Sequence, residues 1–302
     1  MSEARQRRPS IGFIGAGRVA TGLSLSLSQA GYEVLGVASR SATSSLALSN
    51  RLPNCRHYEN LQDVADRAQL VFITTDDASI ESVAATVRWQ QGHQVVHCSG
   101  ALGLEALWAA SAQGAEVGAF HPIQTFGPTE GPPVDLHGVV FGLEAQGGLF
   151  DILAGMCEEV HGTFMIVPEE SRALYHAAAI LSCGHLSILL HSAKILWEKA
   201  GLQPDSADAA LGQLAQSTLD SFRQNGSASS LTGPIVRGDT DVVQRHMNAI
   251  QTFAPEILPL YRILGEQLAD FAVTSNRLSE VKWRELHQTF SWGEEVKLCE
   301  LE

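Results

Sequence analysis

The feature that most constrains this chain lies close to its start. A short apolar run, Ile11-Gly12-Phe13-Ile14, leads into Gly15-Ala16-Gly17-Arg18-Val19-Ala20. A helix-compatible segment follows as far as Gln29-Ala30, where Gly31 is placed to stop it. Each small residue of this G-x-G-x-x-A motif has a task. Gly15 permits the tight turn out of the strand. Gly17 has no Cβ and lets a pyrophosphate approach the backbone. Ala20 lets the helix pack close to the sheet. The helix N-terminus then offers free N–H groups and a positive dipole end. Strand, glycine turn and helix together predict a βα unit that binds a dinucleotide through Gly15, Ala16, Gly17, Arg18 and Val19. The fold expected is α/β, a Rossmann-type, doubly wound, mostly parallel sheet.

A chain of 302 residues has the length for about two domains. It is 45% hydrophobic with a net charge of −13. That excess of acid argues against a nucleic acid or an anionic membrane as partner, because phosphate surfaces need a basic footprint. Arg5, Arg7 and Arg8 form a small basic N-terminal tail with no apolar region behind it, so a signal peptide is not expected. The longest apolar stretch, 177–190, is interrupted by Cys183 and His185 and reads as too short to span a membrane. The five cysteines (Cys55, Cys98, Cys157, Cys183 and Cys299) form no C-x-x-C pair. They read as reduced thiols in a cytoplasmic protein, with no metal site.

Residues 32–38 read as the second strand. Where NAD-preferring sites place an acid, this chain has Ser39-Arg40-Ser41. Arg40 is suited to a 2′-phosphate, with Ser39 donating beside it, which favours NADP(H) over NAD(H). The alternative is an arginine solvated on a loop. A third strand is expected near 55–58, then Asn60 and Asp63 as N-cap and first-turn acid of a helix. The apolar run 70–74 reads as a buried parallel strand. Its end, Thr74 and Thr75, is placed to touch the nucleotide, with Asp76 and Asp77 capping a helix over 80–89. Strands are then expected over 94–97 and 116–120. The first ends in Cys98-Ser99-Gly100 and the second in His121-Pro122-Ile123-Gln124, both at the carboxyl edge where open sheets bind ligands. Strands over 139–142 and 163–167, with a helix over 150–160 between them, close the sheet.

From Pro168 the periodicity becomes helical, so the boundary falls between a dinucleotide domain, 1–167, and a helical domain, 168–302. The helix over 168–200 is apolar nearly all round and reads as the buried centre of the second domain. His176, Cys183, Ser187 and His191 fall along one polar column of it. Helices are expected over 205–224, 241–253 and 255–273. A shaped loop carries Arg237, which suits either a substrate carboxylate or an ion pair with Asp239 or Asp241. Residues 276–302 read as a peripheral helix or a frayed tail.

The stretches IGFIGAGRVATGL, VVHCSGALG, HPIQTF, ESRALYHAAA and LTGPIVRGD, spread over most of the chain, carry a resemblance to Rossmann-like proteins whose C-terminal half is a domain of unknown function, DUF2520. More remotely the chain is similar to pyrroline-5-carboxylate reductase and to the 6-phosphogluconate and β-hydroxyacid dehydrogenases. The resemblance implies an all-helical, 6-phosphogluconate-dehydrogenase-like C-terminal domain and a homodimer sharing helices. Some members of the family resemble alternative ketopantoate reductases. In the β-hydroxyacid dehydrogenases a lysine near the start of the long helix supplies the proton. This chain has Arg172, Tyr175 and His176 there, its first lysine in that helix being Lys194, so that mechanism does not carry over. Where many members carry Asn, it has Gly184.

The reading that results is an NADP(H)-dependent reductase that passes hydride to a small, carboxylate-bearing carbonyl or imine. His176 or His121 is the general acid, with a pKa near 7. Ser99, Gly100, Gln124 and Arg237 orient the substrate. Ketopantoate reduction is the specific alternative. A nucleotide-binding sensor or partner module without chemistry is the alternative of another class.

Overall fold

The computed structural model describes residues 8–291. Arg5, Arg7 and residues 292–302 with Cys299, on which some of the expectations above fall, lie outside them. The chain divides into two compact units, Met1–Cys183 and Gly184–Glu302.

The first unit is built on an eight-stranded sheet: β1 (Ile11–Ile14), β2 (Val34–Ala38), β3 (Arg56–Tyr58), β4 (Leu70–Ile73), β5 (Gln94–His97), β6 (Glu116–Pro122), β7 (Val140–Ala145) and β8 (Thr163–Ile166). Their order is β3-β2-β1-β4-β5-β6-β7-β8. Every pairing is parallel except β6 with β7. The order reverses direction between β1 and β4, which is where such sheets open a crevice at their carboxyl ends. Crossover helices are α1 (Arg18–Gln29), α2 (Ala42–Ser49), α3 (Leu61–Ala65), α4 (Asp77–Thr86), α5 (Trp108–Ser111) and α6 (Leu149–Glu159), followed by α7 (Arg172–Ile180).

Alternation along the strands sends side chains to both faces, and each face has its own core. Phe13, Leu70, Phe72, Val96 and Phe120 pack with α1 and α6. Ile14, Val71, Ile73, Val95 and Val117 pack on the other side. An aromatic ladder crosses the first face: Phe13 stacks on Phe72 at 5.2 Å, Phe72 meets Phe120 edge-on at 5.8 Å, and Phe120 reaches Phe141 at 4.7 Å. Burying such rings contributes about 2 kcal/mol each, which keeps the strand ends fixed under the site.

The second unit contains α8 (Leu186–Lys199), α9 (Pro204–Ser230), α10 (Pro234–Arg237), α11 (Thr240–Phe253), α12 (Leu258–Thr274) and α13 (Glu280–Phe290). Its core joins Val243, Met247 and Ile250 of α11 with Ala269 of α12 and Leu286 and Phe290 of α13. So the part of 276–302 that is described contributes a packed helix.

Two expectations for the apolar segment after Pro168 are corrected. It is not one α-helix: α7 and α8 are separated by a π-helical turn, Leu181–His185. Gly184, a poor helix former, lies in that turn. Nor is it the buried centre of a domain. Arg172 is the buried residue of α7, and α8 has none. Leu174 is 80% exposed and Leu181 62%. The helical run Glu169–Lys199 is also longer than the apolar stretch counted in sequence. By length and composition it is sufficient to cross a membrane.

Candidate active site

Two concave sites lie along the carboxyl edge of the sheet in the first unit. The first is a crevice of about 410 Å³ at the ends of β1, β2 and β4, lined by Gly15, Ala16, Gly17, Ser39, Arg40, Thr74 and Thr75 among others. Gly15 has φ of +115°, and a Cβ there would fall 2.7 Å from the Thr74 carbonyl. The Gly15 N–H donates to Ala38 O at 2.8 Å, tying the turn to β2. A Cβ on Gly17 would meet nothing within 4 Å, so the face above it is open. The first turn of α1 has neither an acid nor a side-chain cap. Its N–H groups are therefore left for an anion. Ala20 is fully buried, as close packing of α1 requires.

Of the expected nucleotide residues, Arg18 and Val19 sit on the first turn of α1, Arg18 exposed and Val19 packed on the core. Thr74 Oγ1 donates to the carbonyls of Ile14 and Gly15 at 3.3 Å, bracing the turn. Arg40 is solvent-exposed, 3.6 Å from Asp76. Asp76 N-caps α4 and accepts from Ser79 Oγ at 2.6 Å, which with Arg40 holds its carboxyl below the usual range. Asn60 caps α3 by accepting from Gln62 N.

The second site, about 340 Å³, lies at the end of β6 against α7. His121, Gln124, His176 and Cys183 line it. The His121 and His176 rings meet edge-on at 6.1 Å. Gly100, at the end of β5, faces both. A Cβ there would lie 2.7 Å from His121 Cε1 and 2.8 Å from His121 Nε2 and His176 Cδ2. The tip of His121 can occupy this place only because residue 100 has no side chain. Behind the ring, His121 Nδ1 shares a hydrogen bond of 2.6 Å with the Tyr175 hydroxyl. That hydroxyl sits against Gly142 of β7, where any Cβ would displace it. Arg172, 3% exposed, pairs with Glu144. Its Nε and Nη1 are buried without a hydrogen bond.

Burial, with His176 and Arg172 nearby, lowers the His121 pKa to about 4. The expectation of a pKa near 7 does not hold for this residue: desolvation disfavours the imidazolium most, and His176 and Arg172 oppose it further. Tyr175 is pushed the other way, to about 12, because burial opposes the phenolate more than Arg172 favours it.

Other expected residues are placed as follows. Ser99 Oγ accepts from the N–H groups of Ala101 and Leu102, each at 3.1 Å, so the hydroxyl shapes the loop after β5. Arg237 belongs to the second unit, where it pairs with Asp239 at 3.1 Å. Sequence reasoning missed His97 altogether. It is fully buried, its Nδ1 accepting from Ser99 N at 3.2 Å and its Nε2–H donating to Gly103 O at 3.0 Å. It therefore moulds the loop that presents Gly100, and burial lowers its pKa to about 4. Tyr175 was noted only as a neighbour of His176. The signal that could have found it is i−1 adjacency on a helix whose start faces a strand end.

Residues 1–122 match the Rossmann-like domain, and residues 139–268 match the domain of unknown function DUF2520. The two matches follow one another along most of the chain. Among solved structures it is similar to a Bacteroides fragilis protein described as an NADP oxidoreductase, with 23% identity, 87% of this chain and 98% of that one covered, and a TM-score of 0.73. A reductive aminase from Aspergillus terreus in complex with NADPH gives 15% identity, 93% and 99% coverage and a TM-score of 0.63. A 1-pyrroline-5-carboxylate reductase from Streptococcus pyogenes gives 15%, 89% and 99%, and 0.62. At these identities the likeness is one of fold. No curated protein matches the chain. The Rossmann-like match ends at Pro122, so it takes in the glycine turn, Gly100 and His121. Tyr175 and His176 come from the DUF2520 match.

Proposed function

We propose that this protein is an NADPH-dependent reductase of small carbonyl or imine compounds. The observation that carries the reading is the pairing of two sites on one sheet edge: an uncapped, glycine-lined helix N-terminus at β1, and a histidine pocket at the ends of β5 and β6. Solved structures of the same fold include an NADP oxidoreductase and NADPH-bound enzymes, which supports the choice of cofactor. Gly15, Ala16, Gly17 and the first turn of α1 would hold its pyrophosphate. Arg40, with Ser39 beside it, would receive the 2′-phosphate in place of Asp76. A bound dihydronicotinamide supplies hydride to the substrate carbon. His121 and His176 handle the proton, and Gln124 contacts the substrate from the pocket wall. The free thiols of Cys55, Cys98 and Cys157 support action in the reducing cytoplasm.

We also propose that a second copy of the chain covers the apolar helical run. Leu174, Leu181 and Ile188, exposed along it, are the apolar surface that such a copy would cover. Light scattering should then give twice the chain mass, and a monomer would overturn it.

The decisive experiment follows NADPH absorbance across ketones, aldehydes and cyclic imines. Turnover of at least one class is expected, and it should fall in H121A and H176A while NADPH still binds. NADPH binding without turnover of any class favours a nucleotide-binding sensor. For the cofactor, NADPH should bind at least tenfold more tightly than NADH, and Arg40→Ala should abolish the difference. Tighter NADH binding, unchanged by that substitution, would overturn the preference.

A further inference from the structure

Resting on the reductase reading, we infer that His121 and Tyr175 form a proton relay that fits the pocket to carbonyl substrates rather than imines. The geometry gives the relay its direction. His121 lines the pocket with its Nε2 edge against Gly100, and Nδ1 faces the Tyr175 hydroxyl at 2.6 Å. A neutral imidazole carries one N–H. With Nδ1 turned to Tyr175, a proton given to a substrate in the pocket must sit on Nε2, so Nδ1 is the acceptor and Tyr175 O–H the donor. The groups acting on His121 favour the neutral ring: His176 and Arg172 from α7 and His97 from β5 all oppose the imidazolium, and Asp77 of α4 is the one that favours it.

The balance of atoms then selects the substrate. When the carbon of a ketone or aldehyde takes hydride from a reduced nicotinamide, the C=O π pair moves to oxygen, and the alkoxide needs a proton. His121 gives up Nε2–H to that oxygen, and Nδ1 takes the phenolic proton of Tyr175. The ring leaves the step neutral, in its other tautomer. The phenolate is left beside the Arg172 guanidinium, which favours it electrostatically, and water returns the proton. An iminium ion makes no such demand. It becomes a neutral amine on taking hydride, and needs instead an acid to form it or a carboxylate to hold its charge. Among the described residues lining this pocket none is acidic. A neutral histidine backed by a tyrosine at about pKa 12 is a poor acid toward an imine nitrogen.

The test has two arms. In the ligand-free protein, ¹⁵N NMR of the imidazoles should show His121 as the Nε2–H tautomer, and Tyr175→Phe should shift it toward a mixture. A dominant Nδ1–H form, or a spectrum unmoved by Y175F, overturns the relay. In the second arm, NADPH oxidation is compared for cyclic ketones and cyclic imines of one ring size. The ketone should be favoured at least tenfold in kcat/KM. Y175F should lower the ketone kcat by about a hundredfold with the Kd for NADPH unchanged. The wild-type rate should stay level from about pH 6 to about pH 9, since the donor is not an imidazolium. Preferred turnover of imines, or full ketone turnover by Y175F, overturns this inference and leaves the reductase reading intact. Absence of turnover with either class overturns both.

Discussion

Among the described residues, two histidine–tyrosine pairs have nearly the same geometry. His121 and Tyr175 are 2.6 Å apart, with rings edge-on at 5.5 Å. His246 Nδ1 and the Tyr261 hydroxyl are 2.8 Å apart, with rings edge-on at 6.0 Å. The first pair joins residues far apart in sequence, at a strand end and on α7. The second joins α11 and α12 within the helical unit. The surroundings differ more than the pairs do. Glycines at 100 and 142 make room for the tips of His121 and Tyr175, and a buried arginine stands near them. His246 is exposed, in a cleft of apolar side chains such as Leu196 and Ile250. A hydrogen-bonded pair is not by itself a site. It becomes one where burial strengthens its electrostatics and the fold leaves a place for a substrate.

The strongest way to break this contrast is to push His121 off Gly100. Gly100→Ala puts a methyl group where His121 and His176 already sit, so it should lower turnover a hundredfold or more while NADPH affinity holds, read by kinetics and nucleotide titration. Unchanged turnover would mean that the placing of His121 against Gly100 does not matter to the reaction. Next in size is Arg172→Met. It leaves Glu144 without its buried partner and should cost about 3 kcal/mol in chemical denaturation. Loss of the positive charge should also raise the Tyr175 pKa further, visible in phenolate absorbance.

Acid should expose the same difference. His97 and His121 are held neutral in the fold, with pKa values near 4. Between the unfolded value and about pH 4 the unfolded chain binds protons that the native one does not, so stability must fall as pH drops through that window. The loss is at most about 3 kcal/mol per histidine. Melting temperatures measured from neutral pH downward should decline, and His121→Gln should make the decline shallower. A flat profile would contradict the neutral assignment. The smallest effect is expected from Tyr261→Phe. Losing one exposed hydrogen bond should cost under about 1 kcal/mol and leave turnover as it was. A large loss of turnover there would show that the second pair is functional too.

The two sites were not equally legible in the sequence. The glycine-lined crevice could be read because its parts are local: Gly15, Gly17 and Ala20 lie within one turn of a βα unit, and Ser39 and Arg40 sit at the next strand end. His121 could be placed at the sheet edge by the strand before it. Its tyrosine partner could not, because Tyr175 reaches it only through the packing of α7 against β6 and β7. His97 looked like the last residue of a buried strand, and nothing in its neighbours announces the loop that it holds. The apolar segment 168–200 misled for a different reason. Hydrophobicity says that a surface will be covered, and it does not say whether the cover comes from the same chain.

The sequence by itself determined the sheet, its direction and the glycine turn at the end of β1. Strand period, glycine conformation and helix-end polarity are properties of short segments, and they act wherever those segments fold. Tertiary structure alone decided the burial that disfavours the charged form of His121, its hydrogen bond to Tyr175 and the close approach of its tip to Gly100. Each depends on burial and on residues brought together from β5, β6, β7 and α7. Desolvation and the direction of hydrogen bonds are set by neighbours in space, which the order of residues along a chain does not record.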